Sequence, residues 1–261
     1  MPWPGPAAHK HARGRLGVVS GRLHQTGAAR LAARAGLRMG AGLVKVLCPP
    51  DATAVLAGAL EAVMVQPFHG PEDLRREAEP MDAVVIGPAA GVDEATVFNL
   101  AALERTGAAL VVDADALSVF EGRADMLFQS LDRDDVLTPH EGEFERLFPG
   151  FLKSGREAAA VEAARRAGCV VLLKGPQTLV ASPDGRLRSN PNGSPWLATA
   201  GSGDVLAGMI GGLVAQRMDS FDAASAACWM HAQAAEEFGP GLIAEDLPGL
   251  LPGVLRGLRR D

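Results

Sequence analysis

Short aliphatic runs recur along the first two thirds of the chain, at 16–20, 43–48, 62–65, 83–86, 109–113, 135–138 and 170–174. Segments with apolar residues three and four apart, including 27–39, 95–105, 141–148 and 156–167, read as helices between them. A strand that returns beside its predecessor in the same direction needs a long crossover, which a helix supplies. This alternation therefore predicts a mainly parallel central sheet with helices on both faces, an α/β fold. Beyond Thr178 the pattern changes to a hairpin through Pro183, Asp184 and Gly185, followed by three helices.

With 261 residues, 48% of them hydrophobic, the chain can bury one large core. We expect one domain over residues 14–261, preceded by an irregular lead-in at 1–13 that is rich in Pro, Ala, His and Gly. The 25 basic residues against 31 acidic ones give a net charge of −6, which argues against a nucleic-acid partner. Cys48, Cys169 and Cys228 are odd in number, far apart and set among apolar residues, so they suggest neither a disulfide framework nor a zinc site. No stretch has the form of a signal peptide or the length of a membrane span. A soluble protein of the reducing cytoplasm, without a membrane partner, is the expectation.

The chemistry concentrates in N-P-N-G-S-P-W-L-A-T-A-G-S-G-D-V-L-A-G at 190–208. Asn190, Pro191, Asn192 and Gly193 should end a strand. Gly201, Ser202 and Gly203 then lead into a helix beginning near Gly203, where exposed N–H groups and the positive dipole end form an anion site. Asp204 sits awkwardly beside a bound phosphate unless it takes a proton from a hydroxyl there. The plainer reading, equally weighted on spacing alone, is that Asp204 caps a helix over 205–217. Neither the dinucleotide fingerprint nor a Walker A loop fits, because the next glycine is Gly208 and no lysine follows.

Six further blocks lie along the chain: H-K-H-A-R-G at 9–14, T-G-A-A-R-L-A-A-R-A-G-L-R-M-G-A-G-L-V at 26–44, V-V-I-G-P-A-A-G at 84–91, V-V-D-A-D-A-L at 111–117, L-T-P-H-E-G-E-F at 137–144 and L-K-G-P-Q-T at 173–178. Together with G-S-G-D-V-L-A-G they resemble the ADP- or ATP-dependent NAD(P)H-hydrate dehydratases, repair enzymes of the ribokinase-like superfamily. The resemblance covers nearly the whole chain. It implies a ribokinase-like three-layer sandwich with the motif loops gathered at the carboxyl ends of the strands, where open parallel sheets bind ligands.

The resemblance also distributes roles. It makes Asp204 the catalytic base and a substrate contact, and it places Ala28, Ala89 and His140 around hydrated NADH or NADPH. Lys174, Gly175, Pro176, Gln177 and Thr178 match an adenylate-binding segment, with Gly201, Ser202 and Gly203 holding the transferring phosphate. Glu143 would act indirectly, orienting waters around a magnesium ion carried by ADP or ATP. Each position has a plainer alternative: a helix-start histidine at His140, a first-turn capping glutamate at Glu143, a solvated lysine at Lys174, and helix–sheet packing around Ala28. Lys174 is one of four lysines beside 21 arginines. Where the family usually has G-P-G, this chain reads Gly87-Pro88-Ala89, so a methyl group stands where glycine alone reaches positive φ freely.

The implied reaction is dehydration of the S epimer of the hydrate to NADH or NADPH, with ADP giving AMP and phosphate, or ATP giving ADP and phosphate. A homo-oligomer, possibly a tetramer, and an epimerase that is either a separate partner or a fused preceding domain come with the resemblance. The alternatives are a small-molecule kinase of the same superfamily and a nucleotide-binding module without catalysis. Sugar kinases of the superfamily carry Asn-x-x-Glu where this chain has His140 and Glu143, and thiazole-type kinases place Cys at the position of Asp204.

Overall fold

A computed structural model describes residues 1–259. Residues 260 and 261, the end of the expected domain, lie outside the described residues. Among the described residues nine strands form one sheet: β1 Arg15–Val19, β2 Leu43–Cys48, β3 Met64–Pro67, β4 Ala83–Ile86, β5 Ala109–Val112, β6 Val136–Leu137, β7 Val170–Leu173, β8 Thr178–Ala181 and β9 Leu187–Asn190. Their order is β3-β2-β1-β4-β5-β6-β7-β8-β9; β1 to β7 run parallel, and β8 and β9 form the antiparallel hairpin edge.

Helices cover both faces: α1 Gly27–Arg38, α2 Thr53–Ala59, α3 Pro71–Ala78, α4 Glu94–Glu104, α5 Asp115–Ser118, α6 Ala124–Phe128, α7 Glu141–Leu147, α8 Arg156–Ala167, α9 Ser202–Val214, α10 Ser220–Phe238 and α11 Leu247–Leu258. Alternation along each strand divides the core in two. Leu16, Val18, Val44, Val46 and Val85 face α1, α9, α10 and α11, whereas Val19, Leu47, Val84, Ile86 and Val112 face α3 to α8. The three-layer arrangement follows from these two apolar faces. No described helix is long and apolar enough to cross a membrane.

α1 and α9 pack almost backbone to backbone. A methyl on Gly208 would stand 2.1 Å from the Ala32 carbonyl oxygen, and one on Gly212 would stand 2.9 Å from the Gly36 Cα. The small residues of 26–44 are thus explained by close packing, and that packing brings the first turns of both helices to the same end of the sheet.

Some boundaries differ from the sequence expectation. The lead-in contains a single-turn 3-10 helix, Lys10–Arg13, where the His9 side chain accepts the Ala12 N–H. The run expected at 62–65 becomes a strand two residues later, and that expected at 135–138 shrinks to Val136–Leu137. There the Asp135 carbonyl still accepts the Val170 N–H at 2.9 Å, while its carboxylate accepts the N–H groups of Leu110 at 2.6 Å and Asp132 at 2.7 Å. The helix expected over 205–217 starts at Ser202, behind a left-handed Gly201, and ends at Val214 as Arg217 turns to φ 65°.

Candidate active site

The chain runs from β1 outward through β2 and β3, then returns to place β4 on the other side of β1. The reversal opens a crevice at the carboxyl ends of β1 and β4, the position where such sheets bind ligands. Here the two loops touch: a methyl on Gly21 would stand 2.0 Å from the Ala89 carbonyl oxygen. Ala89 has φ 56°, so the residue that replaces the usual glycine retains a left-handed backbone. Ala28 lies half-buried in the first turn of α1.

Between β5 and α5, Ala114 takes φ 49° and ψ −118°, a conformation disfavoured for any residue with a Cβ. This turn separates two carboxylates. Asp115 accepts the Gly91 N–H at 2.9 Å and ties down the 87–91 loop. Asp113, buried, accepts Lys174 Nζ at 2.7 Å and the Ala114 N–H at 2.9 Å. Lys174 directly follows β7, and its ammonium also lies 3.8 Å from Glu143 Oε2. Burial opposes the lysine's charge, but the carboxylates of Asp113 and Glu143 hold it above the ordinary lysine range.

Glu143 and His140 form a reciprocal cap at the start of α7. The His140 Nδ1 accepts the N–H groups of Gly142 and Glu143, while Glu143 Oε2 accepts the His140 N–H at 2.8 Å. His140 nevertheless remains exposed, with its Nε2 3.3 Å from Glu143 Oε1. The cap and the contact with Lys174 therefore coexist at Glu143.

Asp204 occupies the third position of α9, half-buried. The N-cap residue Gly201 provides no side-chain bond, and the Asp204 carboxylate accepts no hydrogen bond among the described residues. The capping alternative thus does not describe the observed contacts. Burial first, and then the Asp113 charge, push the Asp204 carboxyl up to about 6, with Lys174 pulling the other way. The N–H groups of Gly203 and Asp204 also lack acceptors among the described residues, leaving the mouth of the helix open to an anion. A methyl on Gly203 would stand 3.6 Å from Lys174 Nζ and 3.8 Å from Asp113 Oδ2, in ordinary contact, so the first turn of α9 lies directly against this pair.

Beside the loop lies a cavity of about 470 Å³. Lys174, Gly175, Pro176, Thr178, Ser202 and Gly203 line it, together with Asn190, Leu197, Leu206, Cys228 and His231. An apolar chamber joined to a cationic, N–H-lined mouth has the shape requirements of a base joined to phosphates. Three assigned nucleotide-segment positions differ in how they face it. Gln177 donates instead to Ser189 Oγ at 2.6 Å; Gly201 packs behind the mouth near Leu31 and Ala244; Thr178 donates from its hydroxyl to the Gly175 carbonyl at 3.1 Å.

Sequence reading set the strand end at Asp113 and Asp115 among the loops converging on the cleft but gave Asp113 no role, and it did not name His231. Asp113 stood in a recognisable D-A-D turn at a strand end, but its pairing with Lys174 spans 61 residues and is set by the adjacency of folded strands. His231 lies on α10 and is buried, its Nε2 without a partner among the described residues. Burial, reinforced by the Lys174 charge, pulls its ring down to about 4, so it is neutral at physiological pH. A lone histidine in an alanine-rich helix offered no spacing by which to assign it.

The family model described as NAD(P)H-hydrate dehydratase matches residues 16–247. The chain is 41% identical over 265 residues to the bifunctional NAD(P)H-hydrate repair enzyme Nnr of Gloeobacter violaceus, covering 97% of this chain and 52% of that protein. It spans about half the length of the first such bifunctional relatives. With the ADP-dependent (S)-NAD(P)H-hydrate dehydratase of Xanthomonas campestris pv. campestris it shares 34% identity over all of this chain and 94% of the relative. The Bacillus subtilis ADP/ATP-dependent NAD(P)H-hydrate dehydratase co-crystallised with ATP and Mg²⁺ matches at a TM-score of 0.87 and 27% identity, over 99% of this chain and 95% of that one. The three-layer sandwich is accordingly ribokinase-like. Since the family match extends over the strands, the Lys174–Asp113 pair and the Gly201 loop alike, the chain belongs to the NAD(P)H-hydrate dehydratase family.

Proposed function

We propose that this chain dehydrates the S epimer of NADH or NADPH hydrate, using ADP, or alternatively ATP, as phosphoryl donor. The observation that carries the reading is Asp204: a carboxyl group that accepts no hydrogen bond among the described residues, raised to about 6, at the open N-terminus of α9. A base with a value near working pH can be ionised and still accept a proton. The names of the Xanthomonas and Bacillus relatives support the substrate and the donor.

In this mechanism the apolar chamber holds the adenosine part, while Lys174 and the N–H groups of Gly203 and Asp204 hold the phosphates. Asp204 removes the proton from the ring hydroxyl, whose oxygen attacks the terminal phosphorus. The bond to the nucleotide's bridging oxygen breaks, giving AMP from ADP, and the fixed N–H groups stabilise the charge on the transferring group. The ring nitrogen lone pair then expels phosphate from carbon, and loss of a proton from the neighbouring ring carbon restores the dihydronicotinamide. Ala28, Ala89 and His140 are the substrate-side residues in this reading.

No group of three or more His, Cys, Asp or Glu among the described residues could hold a metal ion directly, so magnesium would arrive on the nucleotide phosphates, and the Glu143 carboxylate beside Lys174 gives a hard oxygen suited to its waters. Glu143 would orient those waters, and the ion would neutralise charge on the nucleotide phosphates. We place the enzyme in the cytoplasm as a homo-oligomer of the single domain 14–261, acting with an epimerase that is separate or fused.

The test is incubation of the purified protein with magnesium, NADH hydrate and either ADP or ATP, following dihydronicotinamide absorbance and free phosphate together. Equal growth of both signals is expected, and the more effective nucleotide identifies the donor. Nucleotide consumption without NADH recovery would instead establish the kinase alternative, and silence with both donors would overturn the reading.

A further inference from the structure

A second cavity, of about 340 Å³, lies at the opposite pole of the molecule. Its walls include Trp3 from the lead-in, Arg13, Arg38 in the last turn of α1, and Arg256 and Arg259 at the end of α11. The thirteen residues of α9 separate it from the Gly201 loop, a helix length of roughly 20 Å.

Most arginines elsewhere on the surface are partnered, although Arg30, whose Nε is buried without a partner among the described residues, is not. Arg105, Arg123, Arg156 and Arg166 each face a carboxylate. In contrast, Arg13, Arg38, Arg256 and Arg259 form no ion pair and donate no side-chain hydrogen bond among the described residues. Glu237 approaches Arg256 across Gly253 without reaching ion-pair distance. Helix-dipole complementarity accounts for Arg38 and Arg256 individually. It does not account for Arg13, whose Nε is buried without a partner among the described residues.

Arg13 is held in place by backbone. The Gly42 N–H donates to its carbonyl at 3.1 Å, and a methyl on Gly40, which has φ 105°, would stand 2.9 Å from the Arg13 guanidinium. Gln216 joins the same wall, donating to the Met39 and Gly212 carbonyls at 2.9 and 2.6 Å. The concentration of cationic forks in a cavity, on a chain of net charge −6, suits a multi-oxygen anion such as a phosphate. Trp3, 47% exposed at the rim, adds a flat apolar face.

We propose that this cavity is a second ligand site, binding a small anion that carries two or more phosphoryl groups. The site is distinct from the proposed catalytic mouth and shares none of its residues. Its phosphates would pair with Arg13, Arg38, Arg256 and Arg259, and any attached aromatic ring would stack on Trp3.

The experiment uses Trp196→Phe/Trp229→Phe, which leaves Trp3 as the chain's one tryptophan. Trp3 emission is followed during titration with inorganic tripolyphosphate. A saturable change is expected, weakened at least roughly tenfold by Arg38→Ala/Arg256→Ala and unaltered by Asp113→Asn/Lys174→Gln, as expected for charge-assisted contacts local to this cavity. Thermal melts check that each variant is folded. If ADP saturates the signal at lower concentration than tripolyphosphate, the ligand is a nucleotide; equal potency assigns the phosphates alone. No saturable change, or one that persists in the arginine variant, overturns the proposal. Because Trp3 and the two substituted arginines lie outside the catalytic mouth, failure here leaves the dehydratase reading standing.

Discussion

Lys174 Nζ lies 2.7 Å from Asp113 Oδ1, with the carboxylate 2% exposed and the lysine opening onto the nucleotide-sized cavity. One partner is thus buried and the other faces the cavity. Lys174→Ala strands a buried charge and should cost about 2–3 kcal/mol, towards the low end for buried pairs because the lysine keeps some solvent contact. Asp113→Asn/Lys174→Gln, which removes both charges, should regain much of that stability while nucleotide binding stays weak. Denaturant melts and calorimetric titration with ADP check this; normal ADP affinity in the double variant would remove Lys174 from phosphate binding.

Asp204 should set the acid limb of the reaction. As its carboxyl is pushed up to about 6, turnover should rise with pH through that region as the base loses its proton. Asp204→Asn should retain nucleotide binding and lose about 10²–10⁴-fold in turnover. A pH–rate profile of the wild type and single-turnover assays of the variant are the measurements, and full activity in the variant would contradict the assignment.

The same raised carboxyl has a stability counterpart. An acid whose folded value exceeds its unfolded value contributes most at low pH, and that contribution is lost as pH rises through about 6. At pH 7 the ionised Asp204 therefore works against folding. Asp204→Asn should melt higher than wild type at pH 7 to 8, with the difference closing in acid below the ordinary aspartate range. Equal melting temperatures throughout would show that the carboxylate carries no such strain.

Ala89→Gly should stabilise the protein by roughly 1 kcal/mol, since it relieves a left-handed alanine at the cost of some unfolded-chain entropy. Its effect on KM is the more telling readout. A lower KM for the hydrate with unchanged kcat would show that the methyl crowds the substrate side of the crevice.

The sequence revealed the sheet through its aliphatic runs, and the anion loop through Gly201, Ser202 and Gly203, because both signals are local. The short helices α2, α3, α5 and α6 were not read. At 53–59 the alanines and glycine carry weak periodicity, and α5 spans one turn, which is held by a strained Ala114 that residue preference argues against. The role of Asp204 was ambiguous for a different reason. A helix-start aspartate can cap or stay free, and only the folded position of Gly201 leaves it without a backbone donor. Asp113 and His231 illustrate the remaining gap: each acquires its importance from residues far along the chain, which no spacing records.

Gly208→Ala tests the packing that positions the loop. A methyl there would meet the Ala32 carbonyl oxygen at 2.1 Å, so α9 must shift away from α1, at a cost of about 1–3 kcal/mol. Because α9 carries Gly203 and Asp204, turnover should fall along with stability, although no catalytic atom is changed. Denaturant titration and steady-state kinetics measured on the same preparation check the linkage.

That contact also limits how the molecule can move. Where side chains interdigitate, a rotamer change lets neighbouring helices slide; between Ala32, Gly36, Gly208 and Gly212 there are no rotamers to change. The two helices behave as a single fixed jaw, with the first turn of α1 and the mouth of α9 locked in one frame. Any breathing that admits substrate and releases product falls to the loops facing that jaw.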